Sequence, residues 1–371
     1  MSNPTINALF LNLLSAAIWD KPADAALFEG LDSEKWTEIV KMARRQAVSA
    51  LIADKALSLP AESLPAKPLV LQFIVMIEQT EALNRKMMGV LSELTQEYEA
   101  ANFPFCLLKG LSNGVNYPLP LLRNAGDLDL FIYRKGDYEK SKQWIGAQGF
   151  EITDGHQVHY TFHKKDITIE MHQRFSHFDH TKYDKLFEEW EAELIEKENF
   201  TTLQIESTLV KQLPVEMNAL FIFQHMFRHF VHGGVGFRQV CDWLLFLSKH
   251  ENEIDPASFT AQAKKYALLY PMQVFARAAV KYLDTPEIIF PFQMIDDNKH
   301  ADWVIEDILE SGNFGFHRPS KQQPQEKLLR MWFSYIWIIK RSIKIGSISP
   351  QHSWILPIAK LMNRMKIGLR K

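Results

Sequence analysis

The sequence predicts an α+β protein in which a small mixed β-sheet lies between helical regions. Three patterns lead to this prediction. Apolar residues recur at three- and four-residue spacings through most of the first 100 residues, as on the buried face of a helix. Short apolar or alternating runs, typical of strands, occupy residues 102–175. Helical spacing returns at Tyr183 and continues towards the end of the chain.

The N-terminal helical region is predicted to span residues 1–100. The apolar run from Ala8 to Trp19 follows a capping candidate, Thr5, and no basic residue precedes it. A secretory signal begins with basic residues, so this run predicts an amphipathic helix packed on a core. A second, long helix is predicted over Leu69 to Ala101, after a segment that prolines interrupt.

Residues 101–180 are predicted to form an α/β unit with the element order β-α-β-α-β-β. The predicted strands are Phe103 to Leu108, Leu128 to Tyr133, Gln157 to Lys164 and Ile167 to His172, with a helix over Asp137 to Gln148. The last two strands are separated by a short polar turn and therefore read as a hairpin. Residues 181–326 are predicted to be a helical domain.

The charge of the chain is unevenly distributed. The formal net charge is −2. Positions 1–326 contain all 44 acidic residues and 32 of the basic residues, whereas positions 327–371 contain ten basic residues and no acidic residue. The body is thus acidic and the last segment strongly basic. Two cysteines are too few for a disulfide framework, which favours a cytoplasmic protein. The sequence has no apolar stretch of about 18 residues, so no membrane span is predicted.

Two acidic residues lie in a strand pattern within Arg123 to Phe131. Asp127 and Asp129 are two positions apart and share one face of the predicted strand, while Leu128 and Leu130 take the other face. Like charges this close repel each other and raise one pKa unless they share a cation. Mg²⁺ suits the position because it prefers carboxylate oxygens and leaves places for water and substrate phosphates.

Glu170 offers a third carboxylate on another predicted strand. Apolar and polar residues alternate from Ile167 to His172, which places Glu170 on the polar face. If this strand lies beside Asp127 and Asp129, the three carboxylates could hold two metal ions about 4 Å apart for phosphoryl transfer. The alternative is that Asp-x-Asp is a solvated edge-strand pattern and Glu170 an ordinary polar residue.

These residues are part of a longer series of motifs. The first are Lys109-Gly110, Tyr117-Pro118, Arg123, Gly126-Asp-Leu-Asp-Leu and Ile169-Glu-Met-His172; His225-x-x-x-His229-Phe and Gly234-Val-Gly-Phe-Arg238-Gln239-x-x-Asp242 follow. In order and spacing, over roughly residues 100–245, the series resembles the polymerase-β-like nucleotidyltransferase superfamily. Within it, the chain looks most like a bacterial family labelled "uncharacterised nucleotidyltransferase". The resemblance implies a nucleotidyltransferase core flanked by N-terminal and C-terminal helical regions.

The resemblance also implies a reaction. Asp127 and Asp129 would bind two Mg²⁺ ions, which Mn²⁺ could replace, and Glu170 would be the third metal-binding carboxylate and assist deprotonation of the acceptor. The implied substrates are an NTP and a hydroxyl acceptor such as a sugar, another small molecule, a protein or RNA, with release of pyrophosphate.

Residues around the first strand are implied to bind the NTP phosphates: Lys109, Gly110, Ser112, Arg123 and Gly126. Gly110 and Ser112 would do so through backbone N–H groups, Lys109 and Arg123 through charge. Lys109 could instead be a solvated strand-end residue, and Arg123 could pair with Asp127. Only one Gly follows the first strand, where many superfamily members have a second small residue. This departure motivates the alternative of a catalytically inactive interaction or regulatory protein.

Three histidines share one predicted helical face. His225, His229 and His232 could present zinc ligands, but the Glu of the zinc-protease signature does not follow the first of them. We therefore favour a polar face turned towards the catalytic cleft. Other residues predicted to line this cleft are His172, Arg238, Gln239 and Asp242.

The basic segment 327–371 has three interpretations. Its amphipathic pattern could lie on an anionic membrane surface. It could instead hold a nucleic acid, as in toxin-like nucleotidyl transfer to tRNA, or dock on the acidic body of the molecule. Four of its aromatic residues are expected to belong to a core: Trp332, Phe333, Trp337 and Trp354.

Overall fold

The computed structural model describes residues 4–155, 159–316, 326–354 and 357. The helices before and within the first half of the sheet are α1 (Ile6–Ile18), α2 (Ser33–Arg45), α3 (Ser49–Leu57), α4 (Lys67–Ala100), α5 (Leu111–Gly114) and α6 (Asp137–Ala147). The strands are β1 (Phe105–Leu107), β2 (Leu128–Ile132), β3 (Thr153–Gly155), β4 (His159–Lys164), β5 (Ile167–His172), β6 (Thr201–Ile205) and β7 (Thr208–Gln212). The later helices are α7 (Thr181–Lys197), α8 (Val215–His232), α9 (Phe237–Lys249), α10 (Pro256–Lys265), α11 (Leu269–Leu283), α12 (Asn298–Ser311), α13 (Lys327–Gly346) and α14 (Pro350–Ser353).

The strands form one mixed sheet in the order β3-β4-β5-β2-β1-β7-β6. The pairs β2–β5 and β1–β7 are parallel and the other neighbours are antiparallel. The predicted α+β class and mixed sheet are therefore confirmed. The two long N-terminal helices are also confirmed, and the hydroxyl of Thr5 caps α1 by accepting from the N–H of Ala8.

The hairpin β6–β7 corrects the prediction that residues 181–326 are helical throughout. Its strands extend the sheet beyond β1, where Cys106 pairs with Lys211. The hairpin is only half buried: Ile205 and Val210 are its buried apolar residues, and they leave a weak alternating pattern. Pairing with the free edge of β1, which is not visible in the local sequence, supplies the missing stabilisation.

The sheet separates two hydrophobic cores because successive strand residues face opposite sides. On β2, Leu128 and Leu130 face the core that contains α4 and α6. Phe131 faces the larger core, which includes residues of α1–α3 and of the helices after the sheet. Asp129 shares the side of Phe131, and the sheet therefore presents this carboxylate towards the C-terminal helices.

The C-terminal segment that contains α13 and α14 departs from the prediction for its aromatic residues. Trp332, Phe333 and Trp354 are 64%, 53% and 52% exposed, so their assignment to a core is wrong, and Trp337 is also exposed. The core contacts of this segment come from Ile338 and Ile345 instead, because these positions lie on the buried side of the helix.

The basic segment is only partly described. Arg341 is buried and binds Asp307 in α12, with 3.0 Å between Nη1 and Oδ1, so one cation of this segment docks on the body of the molecule. Lys340 and Lys344 are exposed. The predictions for Lys360, Arg364, Lys366, Arg370 and Lys371 lie outside the described residues. Within the described ranges, no helix combines the length and apolar character needed to span a membrane.

Candidate active site

Three carboxylates meet at one end of the central strands. The parallel register of β2 and β5 pairs Asp129 with Glu170, and Asp127 lies immediately before β2. One oxygen of each carboxylate lies within 4.8 Å of the others. The two strands that the sequence predicts to carry the acids are thus neighbours, and strand alternation brings the three acids together.

Two nitrogen groups neutralise Asp129, whose side chain is fully buried. Lys109 Nζ and His172 Nε2 each lie 2.9 Å from Asp129 Oδ1, and His172 Nε2 is also 3.5 Å from Glu170 Oε2. Burial alone would raise the pKa of Asp129, but the Lys109 ammonium and the hydrogen bond from His172 hold this pKa well below its usual range.

The neighbouring groups titrate differently. The charge of Asp129, and then burial, raises the pKa of Asp127. The hydrogen bond from His172 lowers the pKa of Glu170. Burial works to lower the pKa of His172, but its hydrogen bonds to Asp129 and Glu170 raise it. The cluster therefore carries concentrated negative charge that local cations only partly balance.

The donor set fits a divalent metal ion. Asp129 Oδ2 is buried and has no hydrogen-bond partner among the residues that the structure describes. An unsatisfied buried carboxylate oxygen is costly, and a hard cation shared with Asp127 and Glu170 would satisfy it. His159, Glu170 and His172 form an overlapping group of possible ligands. Its two imidazoles are more typical of transition metals than of Mg²⁺.

The turn after β1 approaches the carboxylates closely. Gly110 has φ +76°, and a Cβ atom there would lie 3.2 Å from the backbone oxygen of Asp127. A side chain at this position would therefore be both strained and crowded. Lys109, Gly110 and Gly126 line the cavity in front of the carboxylates. Ser112 does not line it, because its buried hydroxyl donates to the backbone oxygen of Leu108.

Arg123 pairs with a residue of α9 and not with Asp127. Its Nε and Nη2 atoms each lie 2.7 Å from an oxygen of Asp242, and Tyr117 donates a third hydrogen bond of 2.7 Å to the same carboxylate. Burial would raise the pKa of Asp242, but the Arg123 guanidinium holds it below its usual range. This buried group fastens the segment before β2 to α9.

The predicted polar face of α8 also borders the cavity, as His225, His229 and His232 line it. His225 and His229 are in contact, with 3.1 Å between their Nε2 atoms, whereas His232 binds Asp179. Burial, followed by the charge of Lys109, lowers the pKa of His225 well below normal, and burial lowers that of His229 to about 3. Both rings are therefore neutral at pH 7.

The cavity has a volume of about 1150 Å³ and contains every predicted site residue except Ser112. Several other residues line the cavity without having been predicted from the sequence: Asn113, Asn124, His159, Arg174, His177, Arg228, Asn313 and Phe314. His159 could have been found from strand alternation, because it pairs with His172 across β4 and β5. Asn313 carries no comparable local signal.

No curated protein matches the chain. A solved structure of an antigenic nucleotidyltransferase-like protein from Paracoccidioides brasiliensis is similar to 53% of this chain and 92% of its own, with 14% identity and a TM-score of 0.36. A family model described as uncharacterised nucleotidyltransferase matches residues 32–284, which is more than half of the chain. The chain therefore belongs to the uncharacterised nucleotidyltransferase family.

Proposed function

We propose that this protein is a cytoplasmic, Mg²⁺-dependent enzyme that transfers a nucleoside monophosphate from an NTP to a hydroxyl acceptor and releases pyrophosphate. One observation carries the proposal. Asp129 has one oxygen bound by Lys109 and His172, and its other oxygen is buried without a hydrogen-bond partner among the described residues. One oxygen of the same carboxylate lies within 4.8 Å of an oxygen of Asp127 and of Glu170. Membership of a nucleotidyltransferase family supports the same reaction class.

The three carboxylates would hold the metal, with two Mg²⁺ ions expected and Mn²⁺ as a substitute. Bound there, the ions would neutralise charge on the triphosphate and on the oxygens that attack and leave. Lys109 would keep Asp129 ionised and oriented, because its ammonium binds one carboxylate oxygen. Gly110 would let the NTP phosphates approach the turn after β1, where any larger residue would crowd Asp127.

Glu170 is the residue that we propose to receive the acceptor proton. The acceptor oxygen bonds to the α-phosphorus, the bond from that phosphorus to the bridging oxygen breaks, and pyrophosphate leaves. His172 orients Glu170 through the contact between Nε2 and Oε2. Arg123 would act as a positioning residue, because its Nε and Nη2 atoms bind Asp242 while Nη1 donates to the backbone oxygen of Asn124, in the segment that leads into Asp127.

The acceptor would occupy the remainder of the cavity. A sugar, another small molecule, a protein side chain or an RNA end would each present the necessary hydroxyl group. The predicted binding of nucleic acid or an anionic membrane by the basic segment stays a prediction.

Calorimetry with the full chain tests the metal site. We expect Asp129→Asn and Asp127→Asn to lose most of the affinity for Mg²⁺–NTP, because each removes a charge from the shared donor set. Asp54→Asn is the control, since Asp54 is a partly buried acid with a raised pKa, caused mainly by burial, and lies outside the cavity. Unchanged Mg²⁺–NTP affinity in both site variants would refute the assignment.

The catalytically inactive alternative is favoured by a specific contact. Lys109 already supplies a cation to Asp129, as an internal group would in a protein that needs no metal. Incubation with α-³²P-labelled NTP and pools of sugars, proteins or tRNA distinguishes the two functions. Labelling of any pool by the wild type, and not by Asp129→Asn, would exclude the inactive protein. Labelling of tRNA alone would establish the toxin-like reaction.

A further inference from the structure

Five polar side chains that line the cavity around the start of α9 each have one buried atom without a hydrogen-bond partner among the described residues. The buried atoms concerned are Asn113 Oδ1, Asn124 Oδ1, Arg238 Nε, Gln239 Nε2 and Asn313 Oδ1, none of which has a partner in the described part of the chain. Buried polar atoms in folded proteins are nearly always paired, and leaving them unpaired costs free energy. Such a concentration on one cavity wall therefore indicates a ligand. We name these five residues the amide wall.

Contacts around Gly236 hold the amide wall together. A Cβ atom on Gly236 would lie 3.1 Å from the Cα of Asn313, so α9 can begin against Asn313 only with glycine at this position. The N–H of Gly236 donates to Gln239 Oε1 at 3.0 Å, which fixes the amide and leaves Nε2 unpaired. Arg238 Nη1 donates to the backbone oxygen of Asn124 at 3.1 Å and connects the wall to the segment before Asp127.

The burial of the wall shows that it is built into the fold. Asn113 is 2% exposed and Gln239 is 7% exposed, yet each retains an unpaired polar atom in the lining of the cavity. Neither residue is on a mobile surface where water would ordinarily satisfy it. The two side chains come from α5 and α9, which are brought together by the same packing that places Arg123 on Asp242.

An aromatic ring adjoins the amide wall. Phe314 lines the cavity, and its ring centroid lies 4.7 Å from that of His229. Its φ of +54° is unusual for an aromatic residue. The following Gly315 packs against Gly233. A Cβ atom on Gly315 would lie only 2.5 Å from the backbone oxygen of Gly233. Tight packing thus holds Phe314 in a strained conformation beside the cavity.

We infer that the amide wall and Phe314 bind the nucleobase of the NTP and select among bases. This inference rests on the proposed nucleotidyltransferase function. A base edge presents hydrogen-bond donors and acceptors in one plane, which Asn and Gln side chains can match, and its face can stack on an aromatic ring. The wall contains one cation and no carboxylate, so it suits an uncharged polar group better than a phosphate.

Binding measurements with the full chain test the inference. The ligands are the four NTPs with Mg²⁺ and, separately, inorganic tripolyphosphate with Mg²⁺. We expect the wild type to bind the NTP of one base more tightly than the other three. Asn113→Ala should weaken the affinity for that NTP about tenfold, so that it becomes similar to the affinities for the other three NTPs. Gln239→Glu should have a similar effect, because it keeps the acceptor for Gly236 N–H but replaces the Nε2 donor. Phe314→Ala should weaken all four NTPs, and tripolyphosphate should bind equally to the wild type, Asn113→Ala and Phe314→Ala.

Asn218→Ala is the matched control. Asn218 is also 2% exposed with an unpaired Oδ1 atom, but it lies in α8 outside the cavity lining. It should alter thermal stability as Asn113→Ala does and leave base preference unchanged. Equal affinity of the wild type for four NTPs, or an unaltered preference in both amide variants, would overturn the inference. Failure of the wild type to bind Mg²⁺–tripolyphosphate would instead count against the proposed function.

Discussion

Buried polar side chains on the two sides of the cavity differ in their partners: one side pairs them with cations, and the other leaves polar atoms unpaired. On the carboxylate side, Asp129 and Asp242 each have a cation within 2.9 Å. On the amide wall, Asn113 and Gln239 are buried with unpaired atoms. An unpaired buried charge costs far more than an unpaired amide, which is why each of these carboxylates has a cation beside it even though Asp129 Oδ2 has no hydrogen-bond partner of its own within the described residues. The fold can therefore keep amides ready for a ligand but must balance most of its buried charge internally.

Removal of one partner from the Arg123–Asp242 pair should have the largest effect. Both side chains are almost fully buried, at 6% and 5% exposure. Arg123→Met would leave the Asp242 carboxylate without its cation, and we expect a loss of about 3–5 kcal/mol in the free energy of unfolding by urea titration. The double variant Arg123→Met/Asp242→Leu should recover much of this loss, because it removes both charges.

Lys41→Met provides the control for that experiment. Lys41 pairs with Glu38 at 2.7 Å, a distance equal to the Arg123–Asp242 contact, but both side chains are at least half exposed. Exposed pairs contribute about 0–1 kcal/mol, so this change should be small. Equal losses for Lys41→Met and Arg123→Met would show that burial does not set the cost of an uncompensated charge here.

Glu191 shows what a buried acid does when it forms no ion pair within the described part of the chain. Burial raises its pKa from 4.5 to about 7, and its Oε2 accepts from the N–H of Phe175 at 3.3 Å. The folded protein keeps this proton up to about pH 7 while the unfolded chain loses it near 4.5. The contribution of Glu191 to stability should therefore fall as pH rises through this interval, by about 3 kcal/mol at most.

The variant Glu191→Gln should remove this pH dependence. An amide retains the acceptor for Phe175 but cannot ionise, so the variant should gain stability relative to the wild type between pH 5 and pH 8 in urea titrations. Glu188→Gln is the control, because Glu188 is half exposed and pairs with Arg174. A wild-type curve that parallels the Glu191→Gln curve over this range would contradict the raised pKa.

The sequence predicts the carboxylate side of the cavity much better than the amide wall. Alternation fixes the face of Asp127, Asp129 and Glu170 because strand periodicity is a local property. The pairing of Arg123 with Asp242 joins residues 119 positions apart, and no local pattern specifies it. Similarly, the half-buried hairpin β6–β7 owes its place to the edge of β1. The periodicity of a sequence thus predicts which face of a helix or strand a residue occupies. The residue or strand that it pairs with depends on the assembled fold.

Asn313 illustrates the same limit within the site. It reaches the cavity from the turn after α12 because Gly236 leaves room for it, and Gly315 allows that turn to pack on Gly233. These glycines are separated widely in sequence from the carboxylates. Asn124 is different: it adjoins Arg123 and could have been included as a lining residue from its position alone.

The smallest predicted effect concerns the stability of the amide wall without substrate. Asn113→Leu replaces an unsatisfied buried amide by an apolar side chain of similar volume, and we expect the free energy of unfolding to rise by about 1 kcal/mol in urea. Asn218→Leu should give a similar gain, because its Oδ1 is equally buried and unpaired.

Saturating NTP with Mg²⁺ should separate the two variants. Bound nucleotide stabilises the folded state in proportion to its affinity, so Asn218→Leu should keep its advantage over the wild type while Asn113→Leu should lose it. If both variants keep the same advantage at saturation, Asn113 does not contact the nucleotide, and its unpaired amide belongs with Asn218 as an imperfection of packing.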